Sequence, residues 1–332
     1  MTAFSRIAVL GGGAWGTALA LAAARAGREV TLWGRDAATL RAVNDEHHNP
    51  AYLPGIRFDV PLRATDNLTA VLKRADAVLL ATPAQTTRQM AEAMAPALPP
   101  ATPVVLCAKG IERATGLLLS EVLATTLPQA RAAALSGPSF ATDVARGLPT
   151  AVTVAAEDEA LADRLTATLA SPTFRPYAST DLTGVQIGGA LKNVLAIACG
   201  AVVGKGWGAS AQAALTARGF AELTRLGVAL GARSETLTGL SGLGDLVLTC
   251  TSEQSRNFAF GVALGRGSPV VALAGGKLAE GVHSAAIAVD LGRRHRVDLP
   301  ITAAVAAVLD GALDLDTALA ALMTRPLKRE DG

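Results

Sequence analysis

Along the first half of the chain, short uninterrupted apolar runs alternate with longer stretches whose apolar positions recur every three or four residues. "RIAVLG" reads as a strand and "GTALALAAARAG" as a helix. "EVTLWGR" is a second strand, with a helical stretch from Ala37 towards Glu46 behind it. After the loop "HHNPAYLPGI", the strand "ADAVLLATP" precedes the helix "QTTRQMAEAMAPAL". "PVVLCAKGI", "AAALSGPSF" and "TAVTVAA" complete the strands. Runs of this kind suit strands buried on both faces, and the periodic stretches suit the helices that bury them. The pattern predicts an α/β half: βαβ units in a mostly parallel sheet with helices on both faces.

After about residue 181 the character changes and no further convincing strand appears. "DLTGVQIGGALKNVLAIACGAVVGKG" and "SAQAALTARGFAELTRLGVALGA" are long helical patterns. "SRNFAFGVALGRG", "SAAIAVDLGRRHR" and "TAAVAAVLDGA" follow, separated by Gly-rich breaks such as "GLSGLGDL". This half is predicted to be all-α. With 332 residues and roughly 100–200 per domain, the division falls into 1–180 and 181–332.

Composition narrows the function classes. Half of the residues are hydrophobic, 17% are charged and the formal net charge is +2. No basic block forms a nucleic-acid track, and 4% aromatics leave little for base stacking. A small anionic ligand needs only a local pocket. The three cysteines, Cys107, Cys199 and Cys250, form no CxxC pair, which fits a reducing compartment. The four histidines show no metal-ligand spacing, so no metal site is expected. The apolar run after the N-terminus is too short for a signal peptide or a membrane span, so a cytoplasmic location is expected.

"AVLGGGAWGTALA" sets Gly11, Gly13 and Gly16 at G-x-G-x-x-G spacing between a strand and a helix. The first glycine makes the turn, the second admits a pyrophosphate against the backbone, and the third lets helix and strand pack closely. In that context the motif predicts a dinucleotide on a Rossmann-like domain. At the end of the second strand an acid would read a ribose 2′-hydroxyl, whereas an arginine suits a 2′-phosphate. The chain has Trp33, Gly34 and Arg35 there, which favours NADPH and leaves NADH possible. Asp36 is available to cap the next helix instead of reading ribose.

Lysine is scarce, 6 against 24 Arg, yet Lys192 sits inside the apolar helix "GGALKNVLAIA". Gly188 and Gly189 lie one turn before it and cost helix stability, so close approach by a ligand or another backbone is expected. An ammonium projecting from such a surface can protonate a carbonyl oxygen; the plainer reading is a snorkelling lysine at a domain edge. Lys109 follows a strand, where ligands collect in open α/β sheets, or is a solvated loop lysine. Asp245 lies in a Gly-rich turn, as orienting carboxylate or as turn residue. Arg256 and Asn257 begin a helix after Ser255, as a phosphate site or as a plain capped start.

Taken together, "GGGAWGTALA", "AKGIE", "SGPSFA", "GGALKNV", "GLGDLVLTCTSEQSRN" and "EGV" resemble the NAD(P)-dependent glycerol-3-phosphate dehydrogenase family, bacterial type. The resemblance spans Gly11 to Val282. It implies reduction of dihydroxyacetone phosphate to sn-glycerol 3-phosphate, feeding glycerophospholipid synthesis, by a Rossmann-like domain with a helical C-terminal domain. It implies a homodimer as well. Carried over by motif, Lys192 is the proton donor and Asp245 its orienting partner. Lys109, Gly137, Ser139, Lys192, Asp245, Ser255, Arg256 and Asn257 line the substrate. Beyond the glycines, Trp15, Arg35, Lys109, Ala141, Arg256 and Glu280 touch the nucleotide. Phe258 and Ala259 stand where many relatives carry basic residues, and two or three residues after "EG", where a threonine is common, the chain runs Val282, His283, Ser284 and Ala285.

Two other readings remain. A β-hydroxyacid dehydrogenase also joins a Rossmann domain to a helical lysine and asparagine, but acts on a carboxylate. A non-catalytic dinucleotide sensor would need the glycine loop without Lys192, Asp245 and the "SRN" helix start.

Overall fold

The computed structural model describes residues 2–270 and 279–325. The chain forms two compact units, Met1–Gly189 with Gly231–Asp245, and Ala190–Leu230 with Leu246–Gly332.

The first unit is built on an eight-stranded sheet. The strands are β1 (Arg6–Leu10), β2 (Glu29–Trp33), β3 (Arg63–Thr65), β4 (Ala77–Leu80), β5 (Pro103–Leu106), β6 (Arg131–Ser136), β7 (Thr150–Ala155) and β8 (Phe174–Ser179). Their spatial order is β3-β2-β1-β4-β5-β6-β7-β8. All neighbours are parallel except β6 and β7, which run antiparallel. The mostly parallel sheet follows from the apolar runs, which bury both faces. On one face Ile7, Val9 and Leu32 pack with Leu19 and Leu21. On the other, Leu10, Val78 and Leu80 pack with Met90, Met94 and Leu123.

The helices of this unit are α1 (Ala14–Arg25), α2 (Ala37–Asp45), α3 (Leu68–Arg74), α4 (Thr87–Met94), α5 (Leu119–Thr126), α6 (Ala141–Ala145) and α7 (Glu159–Leu169). Strands β3 and β8 lie outside the sequence expectation. The first has three residues, too few for a pattern, and the second reads "FRPYAS", with Pro176 and polar positions in a strand at the sheet edge. The segment Gly231–Asp245 adds α10 (Ser234–Thr238) and a π-helical turn, Leu240–Gly244, where the sequence suggests only a Gly-rich break.

Helix α8 (Leu182–Gly204) begins in the first unit and ends in the second. It is long and apolar enough to cross a membrane, but 83% of its apolar window is buried inside the protein, as in a core helix. The second unit continues with α9 (Ala209–Ala229), α11 (Asp245–Cys250, its first residue counted with the first unit), α12 (Arg256–Gly265), α13 (Glu280–His295), α14 (Pro300–Leu309) and α15 (Leu315–Met323). Its described residues contain no strand.

Glycines let α8 and α12 touch backbone to backbone. A Cβ at Gly200 would lie 2.1 Å from the Phe258 carbonyl oxygen, and one at Gly261 2.1 Å from that of Ile197. Gly204 and Gly265 repeat the arrangement one turn on. Glu222 of α9, almost fully buried, accepts from the Ile301 and Thr302 amides and from the Thr302 hydroxyl. It thereby caps α14 from a distance, because Leu299 offers no side-chain acceptor at that helix start. All three cysteines are buried and none forms a disulfide, and burial pushes the Cys107 thiol up, out of the reactive range.

Candidate active site

The three loop glycines do three different jobs. Gly11 has φ +125°, and a Cβ there would meet the Ala81 carbonyl at 2.9 Å. Gly16 packs so closely on the turn that its Cβ would overlap the Gly11 carbonyl oxygen. Around Gly13 nothing lies within 4 Å of a Cβ position, and as N-cap of α1 it offers no side-chain acceptor to the helix amides. Open space before bare amides is what a pyrophosphate requires, so the residues fit a dinucleotide. The Trp15 indole donates to the Cys107 carbonyl at 3.1 Å, which fixes the ring beside the ends of β1 and β5.

At the end of β2, Asp36 caps α2. Its carboxylate accepts from the Thr39 amide at 2.8 Å and the Thr39 hydroxyl at 2.5 Å. These bonds hold it below the usual carboxylate range. Arg35 is exposed and makes no hydrogen bond or ion pair to a described residue. The acid is therefore occupied and the cation free.

A second constellation gathers at the carboxyl ends of β5 and β6. Lys109 donates to Asp245 at 2.7 Å and to the Gly137 carbonyl at 3.1 Å. Asp245 is 1% exposed and Lys109 15%, so this ion pair is largely shielded from water. A shielded pair is held together strongly because losing either partner strands a buried charge. The Ser139 hydroxyl also donates to the Gly137 carbonyl, at 3.0 Å. Gly137 has φ +144°, and a Cβ would press on Val152 at 2.9 Å, so only glycine fits this turn. Ala141 opens the short helix α6 just beyond.

The glycines before Lys192 are explained by close approach. A Cβ at Gly188 would lie 2.5 Å from the Ser241 carbonyl oxygen, and one at Gly189 2.6 Å from the Ser136 hydroxyl and 3.2 Å from the Lys109 stem. The hydroxyls of Ser136 and Ser241 are buried without a hydrogen-bond partner among the described residues. Two unmet hydroxyls beside a shielded lysine mark a polar spot inside the protein.

Lys192 itself is 5% exposed and donates to the Thr249 hydroxyl at 2.7 Å. A snorkelling lysine would keep its head in water; this one does not. Next to it, Asn193 accepts from the Asn257 amide at 2.9 Å, and Asn257 in turn accepts from the Gly281 amide at 2.9 Å. This chain of amides ties α8, α12 and the start of α13 together beside Glu280. Ser255 caps α12 as its position suggests, accepting from the Phe258 amide at 3.3 Å. Arg256 is exposed at that helix start, with no hydrogen bond to a described residue.

Thr249 and Asn193 lie within the motif segments but are not among the candidate site residues read from them. Thr249 lies one turn after Asp245 on α11, which a helix through "DLVLTC" would have pointed to. Asn193 follows Lys192 directly, and its side chain accepts a hydrogen bond from Asn257.

Residues 6–162 match the family described as NAD-dependent glycerol-3-phosphate dehydrogenase N-terminus, and residues 181–320 match its C-terminus. The chain is 58% identical over 327 residues to a glycerol-3-phosphate dehydrogenase [NAD(P)+] of Brucella ovis, covering 98% of this chain and 99% of that one. A protein of the same name from Parvibaculum lavamentivorans is 57% identical over 330 residues, with 99% of each chain covered. The crystal structure of glycerol-3-phosphate dehydrogenase from Coxiella burnetii superposes with a TM-score of 0.91 at 40% identity, covering 97% of this chain and 99% of that one.

Proposed function

This chain belongs to the NAD-dependent glycerol-3-phosphate dehydrogenase family, and from that premise we propose that it reduces the C2 carbonyl of dihydroxyacetone phosphate to sn-glycerol 3-phosphate. The nicotinamide nucleotide, held by Gly11, Gly13, Trp15 and Gly16 at the glycine loop, supplies the hydride when bound. Lys192 is the proton donor to the alkoxide oxygen formed at C2, and the acceptor in the reverse direction. The observation that carries this role is its burial with the ammonium fixed on the Thr249 hydroxyl, an expensive placement for a charge without a task.

Asp245 acts in this reading by orienting the site's ammonium groups, a role supported by its 2.7 Å contact with Lys109. Lys109, Gly137, Ser139, Ser255, Arg256 and Asn257 complete the substrate set, with Arg256 and the α12 amides receiving the phosphate. Binding the phosphate away from C2 aligns the reacting carbon. Asn257 serves this through its amide bonds to Asn193 and Gly281. Arg35, Lys109, Ala141, Arg256 and Glu280 complete the nucleotide set. NADPH is preferred over NADH, because Arg35 is free for a 2′-phosphate while Asp36 is committed to capping.

The domain boundary falls near residue 180: 1–180 is the dinucleotide-binding domain, which also lends Lys109, Gly137 and Ser139 to the substrate, and 181–332 is the substrate and catalytic domain, which also lends Arg256 and Glu280 to the nucleotide. The protein works in the cytoplasm as a homodimer and feeds glycerophospholipid synthesis. Steady-state rates with dihydroxyacetone phosphate, taken with NADPH and NADH separately, test the reading. Turnover of the phosphorylated ketone with a lower KM for NADPH is expected. Activity on a β-hydroxyacid alone, or nucleotide binding without consumption, would replace it by one of the alternatives.

A further inference from the structure

The glycine loop lies at the carboxyl ends of β1 and β2, and the opposite ends of the same strands border a cavity of about 290 Å³. Register explains the hollow. On one face of the sheet Arg6 stands beside Glu29, and Ala8 stands beside Thr31, which stands beside Arg63. Further along the same face come the large side chains Leu10 and Trp33. Where the strand residues are only Ala8 and Thr31, Ala70 and Val71 of the short helix α3 and its C-cap residue Ala75 cover them and leave space.

Charge around the hollow is unbalanced. Arg6 pairs with Asp76 at 2.6 Å and Arg74 with Glu29 at 3.2 Å, so those two guanidinium groups are matched. Arg63, on the edge strand β3, has no hydrogen bond or ion pair to any described residue, and neither does the Thr31 hydroxyl. Three cations against two carboxylates leave one positive charge in excess. A single negative charge satisfies it, whereas a polyanion would meet repulsion from Glu29 and Asp76. Asn44, bonded to the Ala64 backbone, and Thr65, which accepts from the Asn67 amide, also line the hollow, and its other walls, Ile7, Ala8, Ala64, Ala70, Val71 and Ala75, favour an apolar body.

We propose that this hollow binds a small monocarboxylate, its carboxylate on the Arg63 fork and the Thr31 hydroxyl and its alkyl body along Ala8, Val71 and Ala75. The site is separate from the nucleotide loop, since the five residues of β1 between them span roughly 13 Å.

Calorimetric titration of the full chain with hexanoate, in saturating NADPH so that the loop is filled, reads the site. The expected result is saturable binding that Arg63→Gln weakens roughly tenfold or more and Thr31→Val weakens in the same direction. Both variants should keep the Tm and turnover of the parent, as neither residue has a partner to lose. Absence of saturable binding, or binding that survives Arg63→Gln, overturns the proposal. So does binding of 1-hexanol or inorganic phosphate as tight as that of hexanoate, because each carries only half of the recognition.

Discussion

Replacing Gly261 by alanine tests whether the contact between α8 and α12 sets the site. The new Cβ would stand 2.1 Å from the Ile197 carbonyl oxygen and 2.9 Å from the Ala201 amide nitrogen. A relaxed carbon–oxygen approach is about 3.3 Å, so the two helices must separate locally by roughly 1 Å. Neither obstacle is a side-chain end that can swing aside; both are backbone inside helices. Overpacking of this kind costs up to about 3 kcal/mol, and alanine's better helix propensity returns roughly 1 kcal/mol. The net loss of about 2 kcal/mol corresponds to a fall in Tm of roughly 4–8 °C, read by calorimetry or circular dichroism. The same movement carries Asn257 away from Asn193, whose amide bond is 2.9 Å long, so turnover should fall along with stability. A Gly261→Ala protein with unchanged Tm and unchanged kcat would refute the argument that this backbone contact holds α8 in place.

Lys192→Ala should lower kcat by roughly 10²–10⁴-fold, the size of a general-acid effect, while the protein stays folded; near-parental turnover would remove the lysine from the chemistry. Arg35→Ala should raise KM for NADPH about tenfold and leave KM for NADH nearly unchanged, and an equal effect on both nucleotides would count against a 2′-phosphate contact. Burial raises the Glu222 carboxyl above the ordinary glutamate range despite its three donors. The folded state therefore holds this proton more tightly than the unfolded one, so its contribution is complete below the unfolded pKa and is lost as pH rises through the folded pKa. Relative to Glu222→Gln, the parent should lose stability over that interval by at most about 1.4 kcal/mol per pH unit. Parallel denaturation profiles of the two proteins would contradict it.

Much of the fold is legible where local chemistry and tertiary packing agree. The run "RIAVLG" and the glycines after it specify strand, turn and helix by themselves, and Asp36 caps α2 through bonds made three residues away. Legibility fails where the determinant is remote in sequence. Strand β3 exists because a neighbour pairs with three residues that carry no alternation of their own. The antiparallel turn of β7 against β6 leaves no mark in "TAVTVAA", since a strand buried on both faces reads alike in either direction. In the site, Lys192 stood out as a charge in an apolar helix. Thr249 did not, because an ordinary threonine gains its meaning from a lysine 57 positions earlier. Gly200 and Gly261 likewise look like breaks until their helices are laid side by side.

The reversal at β6 and β7 has an effect on how the chain tolerates change in length. Because β7 and β8 run against the other strands, β8 delivers the chain to the edge of the sheet opposite the glycine loop. Helix α8 must then climb back, and Gly189 reaches the Ser136 and Lys109 side chains at the loop edge. Those first two turns act as a ruler. Adding or deleting one residue between Leu182 and Gly189 would swing every later side chain by about 100° and slide it about 1.5 Å. This stretch should therefore accept many exchanges of letter and almost no change in count.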